Sequence, residues 1–332
     1  MISFLPKKNF NFSHFQKLLT PSVESNQLTN NGPLVRELEK TAHQMLKLED
    51  DYAVVATCNG TGALQAIFYA FERANKNPLS KCVQSFTFDS TAQGALNGAT
   101  IVDFDQDYDV DIGQEIPFMY SNVVVITNVF GHVQNIDKIL DILNSNEKII
   151  IFDNAATPYS FVDGINSCCL SDASMVSLHH TKPIGYGEGG LAIVKKELED
   201  DIREIINFGK FEGKFNERGS NWKMSEIAAA GILQYWNSFD IDQLSKLYRD
   251  NYYNLRYKLT LEHGGEPLPN HSDDENFFPS NLPYIFKIPV ETNMFENIET
   301  KKYYKPISDI TPITNDLYQR VLNFPLYCNY DI

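Results

Sequence analysis

From Pro33 the apolar residues of LVRELEKTAHQML recur at helical spacing, and the short DYAVVAT after it is apolar and β-branched, which predicts a buried strand. Cys58-Asn59-Gly60-Thr61 then opens another apolar helical stretch, GALQAIFYAFERA, giving a strand, a glycine turn and a helix in order. The pattern repeats. KCVQSF precedes a helix from Ser90 to Leu96, then come TIVDFD, NVVVIT with a helix over NIDKILDILN, KIIIFD, ASMVSL, and GGLAIV before the helical KKELEDDIREIINF. Short apolar strands alternating with helices predict an α/β domain with a mostly parallel sheet covered by helices.

After Lys210 the character changes. FEGKFNERGSN is polar and glycine-bearing, MSEIAAAGILQYW and the stretch to Leu261 read as helical, and the tail from Glu262 is rich in proline and aromatic pairs, with one clear strand candidate, YIFKI. The expected organisation is a large α/β domain over residues 1–240, including an N-terminal arm, and a linking helix with a small α+β domain over 241–332. With 332 residues, 43% hydrophobic and 21% charged, the chain can bury a large core and is far from the composition of disorder. The 28 basic and 43 acidic residues leave a formal charge of −15, which argues against binding nucleic acid over a broad face. The longest apolar runs, such as Val123 to Ile126, are strand-sized, and MISFLPKKNFNFSHFQKLLT has no apolar core of signal-peptide length, so neither a membrane span nor export is expected. The five cysteines, an odd number without CxxC spacing, suggest neither a disulfide framework nor a zinc knuckle and fit a reducing cytoplasm.

Four segments fall at strand ends or loops, where α/β sheets place their ligands. Asn59-Gly60-Thr61-Gly62 stands at a helix start, where free N–H groups and the helix dipole favour a phosphate, although an Asn N-cap in a tight turn explains the same residues. Its spacing matches neither a GxxxxGK[ST] loop nor a GxGxxG fingerprint. Asp153 ends KIIIFD and is followed by the small Ala155 and Ala156, leaving room for a flat ligand whose protonated ring nitrogen it could hold; an ordinary strand-ending cap is the alternative. In SLHHTKPIGYGEGG, Lys182 lies between a strand and a glycine-rich turn among small, aromatic and imidazole neighbours, and a desolvated lysine there can form a Schiff base with a carbonyl. His179-His180 lack metal-ligating partners at the right spacing, so no metal is expected. In RGSNWKMSE, Ser220 or Asn221 could cap the next helix, which accounts for the polar residues but not the whole string.

Together these segments supply a phosphate seat, a carboxylate for a pyridinium and a Schiff-base lysine, the protein parts that a pyridoxal phosphate enzyme needs. From Gly32-Pro33-Leu34-Val35 to Phe324-Pro325-Leu326-Tyr327 the chain resembles the DegT/StrS family of pyridoxal-phosphate sugar aminotransferases, of fold type I. SLHHTK followed by GEGG is the most specific element. The resemblance implies pyridoxal 5′-phosphate as cofactor, cycling through pyridoxamine phosphate, with Lys182 as its Schiff-base lysine and catalytic base. It implies Asp153 on the pyridinium nitrogen, Gly60, Thr61 and Ser177 on the phosphate beside Asn59, Phe88 stacked on the ring, and Ala156 near the ring hydroxyl. Asn221 would reach the phosphate of a neighbouring subunit, in a homodimer with shared active sites. His179, Tyr186, and Lys302 and Tyr304 of TKKYYKP fall on the substrate side.

The chain departs from the family in four places. Asn59 stands where the family usually has Ser, Ala156 where Gln or His is common, and Lys223 where Arg is frequent. The fourth is the tail, where no helix is expected between YIFKIPV and ETKKYYKP or after FPLY, at both of which relatives usually carry one. The expected activity is transfer of an amino group from an amino acid, glutamate by family habit, to a keto group of a nucleotide-linked deoxysugar in ping-pong half-reactions. A pyridoxamine-dependent sugar dehydratase is disfavoured, because those relatives carry His in place of the lysine. A binding or regulatory relative without catalysis is the remaining alternative, against which intact Lys182 and Asp153 weigh.

Overall fold

The computed structural model describes residues 1–134, 139, 147–211, 214–215, 218–268 and 276–330. Its main sheet comprises β1 (Tyr52–Thr57), β2 (Lys81–Gln84), β3 (Thr100–Val102), β4 (Val123–Thr127), β5 (Ile149–Asp153), β6 (Ala173–Ser177) and β7 (Gly190–Lys195). They lie in the order β1-β7-β6-β5-β4-β2-β3. From β6 to β3 all neighbours are parallel, whereas β7 runs antiparallel between β1 and β6. The mostly parallel sheet read from the sequence is therefore present, with one reversed strand.

Alternating side chains of the strands pack into cores on opposite faces, as a pleated sheet covered on both faces requires. Val55, Val83, Val125, Ile151 and Ala192 pack on one face with α3 (Gly60–Asn75) and α4 (Glu199–Ile205). Val54, Ala56, Val176, Leu191 and Ile193 pack on the other with α2 (Pro33–Met45) and α5 (Glu226–Trp236). Glu226 is fully buried at the start of α5, where its carboxylate accepts from the Leu34 and Val35 N–H groups at 2.9 and 3.0 Å and from Ser22 Oγ at 2.8 Å. A charge so placed satisfies the first-turn donors of α2 and complements its dipole, which joins two distant helices at their N-termini.

The tail forms a three-stranded antiparallel sheet of β8 (Glu266–Pro267), β9 (Leu282–Ile285) and β10 (Val321–Phe324), with β9 central. The long helix Ile241–His263, α6, buries Tyr248, Tyr252, Leu255 and Leu259 in a core that also holds Leu282, Tyr284 and Phe324.

Several local expectations are corrected. The helix expected from Ser90 to Leu96 is instead two 3-10 turns, Asp89–Ala92 and Gly94–Leu96, interrupted by extended Gln93 and by Gly94 at φ +55°. The strand expected over YIFKI lies earlier, at Leu282–Ile285, because its register is set by Val321–Phe324 on one side and Glu266–Pro267 on the other. Ile288 is left exposed. TIVDFD contributes only Thr100–Val102 as strand. A helix not anticipated, α1 (Phe12–Glu24), starts at Asn11, whose side chain accepts from His14 N. The expected NIDKILDILN helix falls, apart from Ile139, outside the described residues.

Candidate active site

The C-terminal ends of β1, β4, β5 and β6 converge on a cavity of about 470 Å³. At its floor Asn59 caps α3, accepting from Gly62 N at 2.8 Å. Gly60 and Thr61 line the cavity, so the first-turn N–H groups, which have no acceptor inside the helix, are brought to it. The N-cap reading of this segment holds, and the capped helix start opens onto the cavity. Close approach explains two glycines here. A Cβ on Gly60 would lie 2.9 Å from Met175 Sδ, and one on Gly190 would lie 2.4 Å from the Asn59 carbonyl carbon. Ser177 ends β6 against the same turn and also lines the cavity.

Asp153, at the end of β5, is fully buried. Its Oδ1 accepts from Ala155 N at 3.0 Å, while its Oδ2 has no protein partner. Burial raises its pKa to about 6, opposed by the Ala155 N–H and by the charge of Lys182. For Lys182, desolvation lowers the pKa and the Asp153 charge works in the opposite direction. A buried carboxylate with one free oxygen is costly by itself, and a cationic N–H placed against it removes that cost. The Asn128 side chain donates to Asn154 Oδ1 at 2.7 Å, and Thr157 Oγ1 donates to the Asn128 carbonyl at 2.6 Å, fixing the loop after Asp153.

The opposite wall comes from the tail. Tyr304 stacks on Phe130 at 5.3 Å between ring centroids and meets Phe86 and Phe88 edge-on. Burial and the neighbouring Asp153 charge push its phenol pKa up, so it stays protonated. Asn281 lines the wall with a buried Oδ1 that has no protein partner.

The cavity brings together Asn59, Gly60, Thr61, Phe88, Asp153, Ala156, Ser177, His179, Lys182 and Tyr304. His179 is held by Thr181 Oγ1 at 2.8 Å and by Glu188 at 3.4 Å, both also in the lining. Two expected residues lie elsewhere, and Asn221, expected at a neighbouring subunit's site, lies outside its own chain's cavity. Tyr186 is drawn into an aromatic cluster with Phe10, His180 and Tyr235. Lys302 donates to the Gln319 carbonyl at 3.1 Å and sits over the Tyr318 ring. Asn221 is exposed outside the cavity, accepting from Lys223 Nζ at 2.7 Å. Sequence reasoning missed Asn281, Tyr248 and the arm residues Phe4, Leu5, Pro6 and Lys8, which all line the cavity. None lies in a motif, and only the fold brings them in.

A flat, anionic, ring-nitrogen cofactor fits this arrangement: the orphaned Asp153 Oδ2 lacks the donor that a pyridinium offers, and the glycine-walled helix start suits a phosphate. The model of the DegT/DnrJ/EryC1/StrS aminotransferase family matches residues 12–331. The chain belongs to that family. It is 27% identical over 303 residues to a dTDP-4-amino-4,6-dideoxy-D-glucose transaminase of Shigella dysenteriae, covering 86% of this chain and 79% of that one. The structure of DesI with its TDP-sugar product superposes with a TM-score of 0.81 at 26% identity, covering 96% of this chain and 86% of DesI. Spr1654 of Streptococcus pneumoniae in its pyridoxal phosphate form shares the fold, with a TM-score of 0.80 at 17% identity over 99% of this chain and 94% of its own. The chain is accordingly a pyridoxal-phosphate-dependent transaminase of fold type I, in a family of sugar aminotransferases. Among the described residues no group of His, Cys, Asp and Glu could hold a metal, and no helix is long and apolar enough to cross a membrane.

Proposed function

We propose that this enzyme moves an amino group from an amino acid, glutamate by family habit, to a keto group of a nucleotide-linked deoxysugar, with a dTDP-linked 4-keto-6-deoxyhexose as the first candidate. The observation that carries the reading is the meeting of Lys182, Asp153 with its unpartnered Oδ2, and the Asn59–Thr61 helix start in one cavity. The activity of the Shigella dysenteriae relative and the TDP-sugar product of DesI support the acceptor class.

In this reading pyridoxal phosphate supplies a carbonyl for amines and a ring that takes up electrons released at the substrate carbon. The rest is done by the chain. Lys182, its pKa lowered by desolvation, presents a neutral amine more readily than a surface lysine, so it can attack a carbonyl and then carry a proton to and from the substrate carbon. Asp153 holds a ring N–H⁺ by a charge-assisted hydrogen bond, and burial keeps water from competing. Gly60, Thr61 and Ser177 hold the phosphate, Phe88 covers the ring, and Ala156 leaves space beside the ring hydroxyl. His179 and Tyr304 face the substrate. Asn221, outside its own chain's cavity, serves a second subunit's phosphate in a homodimer.

The test is amination of dTDP-4-keto-6-deoxyglucose with glutamate, with visible absorption recorded before and after the donor. Bleaching of the cofactor band by glutamate in the wild type but not in Lys182→Ala is expected. An unchanged turnover in Lys182→Ala would overturn the assignment.

A further inference from the structure

Residues 1–11 run as an arm between the two walls of the cavity. On the tail side, Ile2 N donates to the Asn297 carbonyl at 2.7 Å, Glu299 N donates to the Ile2 carbonyl at 2.8 Å, and the Tyr327 hydroxyl donates to the Ser3 carbonyl at 3.0 Å. On the sheet side, Phe10 stacks on Tyr186 and Asn11 N donates to Gln234 Oε1 at 2.9 Å. Between these anchors lies Lys8. Its Nζ donates to the Lys182 carbonyl at 2.5 Å and to the Gly185 carbonyl, and sits 4.9 Å from the centre of the Tyr235 ring. These two carbonyls bracket the turn that Gly185 N closes onto the Lys182 carbonyl at 3.0 Å. A lysine head taken out of water needs acceptors. Here the acceptors are the main chain of the catalytic turn itself.

We propose that Lys8 is a positioning residue for the transamination, its amino group clamping the Lys182–Gly185 turn and so fixing how the Lys182 side chain enters the cavity. The inference rests on Lys182 performing the chemistry. Burial lowers the Lys8 pKa to about 7, and both the amine, with two N–H groups, and the ammonium, with three, can serve the two carbonyls, so the clamp survives that titration.

The test compares Lys8→Met with Lys7→Met, its exposed neighbour, in the full chain loaded with pyridoxal phosphate. Amide hydrogen exchange of the segment from Thr181 to Tyr186 should quicken several-fold in Lys8→Met alone, while the rest of the sheet keeps its protection. In the same variant kcat should fall about 10-fold at unchanged KM for the amino donor, the effect of a misaimed group rather than lost binding. Unchanged exchange at that turn, or equal effects in Lys7→Met, would overturn the proposal. If Lys8→Met does not fold, Lys8→Arg replaces it: retained protection of the turn supports the clamp, and loss of protection in a folded protein overturns it. A dead Lys182→Ala beside a fully active Lys8→Met sinks this inference alone, whereas an active Lys182→Ala sinks the functional reading.

Discussion

The two walls of the cavity are built by different rules. The sheet wall places Asn59, Asp153, Ser177 and Lys182 at or just beyond the C-terminal ends of strands, β5 and β6 being paired on both sides and the edge strand β1 on one. The tail wall places Asn281, Tyr303, Tyr304, Leu326 and Tyr327 on irregular chain leading into and out of a three-stranded sheet, and borrows the N-terminal arm to close it. The first wall carries the buried Asp153 carboxylate with its unpartnered Oδ2; the second carries mostly aromatic surface and the unpartnered Asn281 Oδ1. In the proposed reading the cofactor chemistry falls on the sheet wall and the acceptor meets the tail wall, whose irregular chain sequence change can reshape at low cost to the fold.

The sharpest way to break this contrast is at the sheet wall. Lys182→Ala should lower kcat by about 10³-fold or more, since both the nucleophile and the proton carrier are lost; single-turnover kinetics with glutamate would show it. Asp153→Asn should lower kcat/KM on the order of 10²-fold, as the cationic ring loses its buried counter-charge. The same change should stabilise the cofactor-free protein. A carboxylate whose pKa rises from 3.8 to about 6 on folding costs nothing below the lower value, a growing amount between the two, and the full penalty above the higher, on the order of 3 kcal/mol. Urea unfolding of the cofactor-free proteins should therefore find Asp153→Asn more stable than wild type at pH 8 and indistinguishable near pH 3.

Changes on the tail wall should be smaller and should fall on the acceptor. Tyr304→Ala forfeits the stack on Phe130, worth about 1 kcal/mol, and should raise KM for the ketosugar while leaving the cofactor spectrum and the glutamate half-reaction intact. Equal damage to both half-reactions would show that the walls do not divide the labour in this way. Lys302→Ala is the smallest: its side chain caps the Gln319 carbonyl outside the cavity, so stability should shift by less than about 0.5 kcal/mol and acceptor KM should not move.

The same contrast governs how much could be read from the sequence. Strands such as AVVAT, VVVIT and IIIF are continuous, mostly apolar runs rich in β-branched residues because both faces are covered, and they were legible at once. That Lys182, Asp153 and Asn59–Thr61 meet in one cavity was legible because all of them stand at or just past strand ends, where α/β sheets gather their ligands. Lys8 was not. A lysine next to another lysine in a polar arm has the local signature of a solvated charge, and only the tertiary path of residues 1–11 leaves it half-buried. Tyr186 was misplaced for the converse reason: it neighbours Lys182 in sequence, but Phe10 and Tyr235 offer its ring a better apolar partner than the cavity does. The Ser90–Leu96 helix failed on Gly94, whose positive φ breaks the turn.

Ser177, where β6 ends, pairs directly with Gly190, where β7 begins. Everything between them, including Lys182 and the glycine-rich turn, leaves and re-enters the sheet through adjacent strands, with Leu178 N bonded to the Gly189 carbonyl at 2.9 Å at its base. The excursion is a cassette plugged into a fixed socket. Segments from relatives, even of different length, could be exchanged there without re-registering the strands, provided that Gly190 stays and the incoming turn offers the arm its two carbonyls.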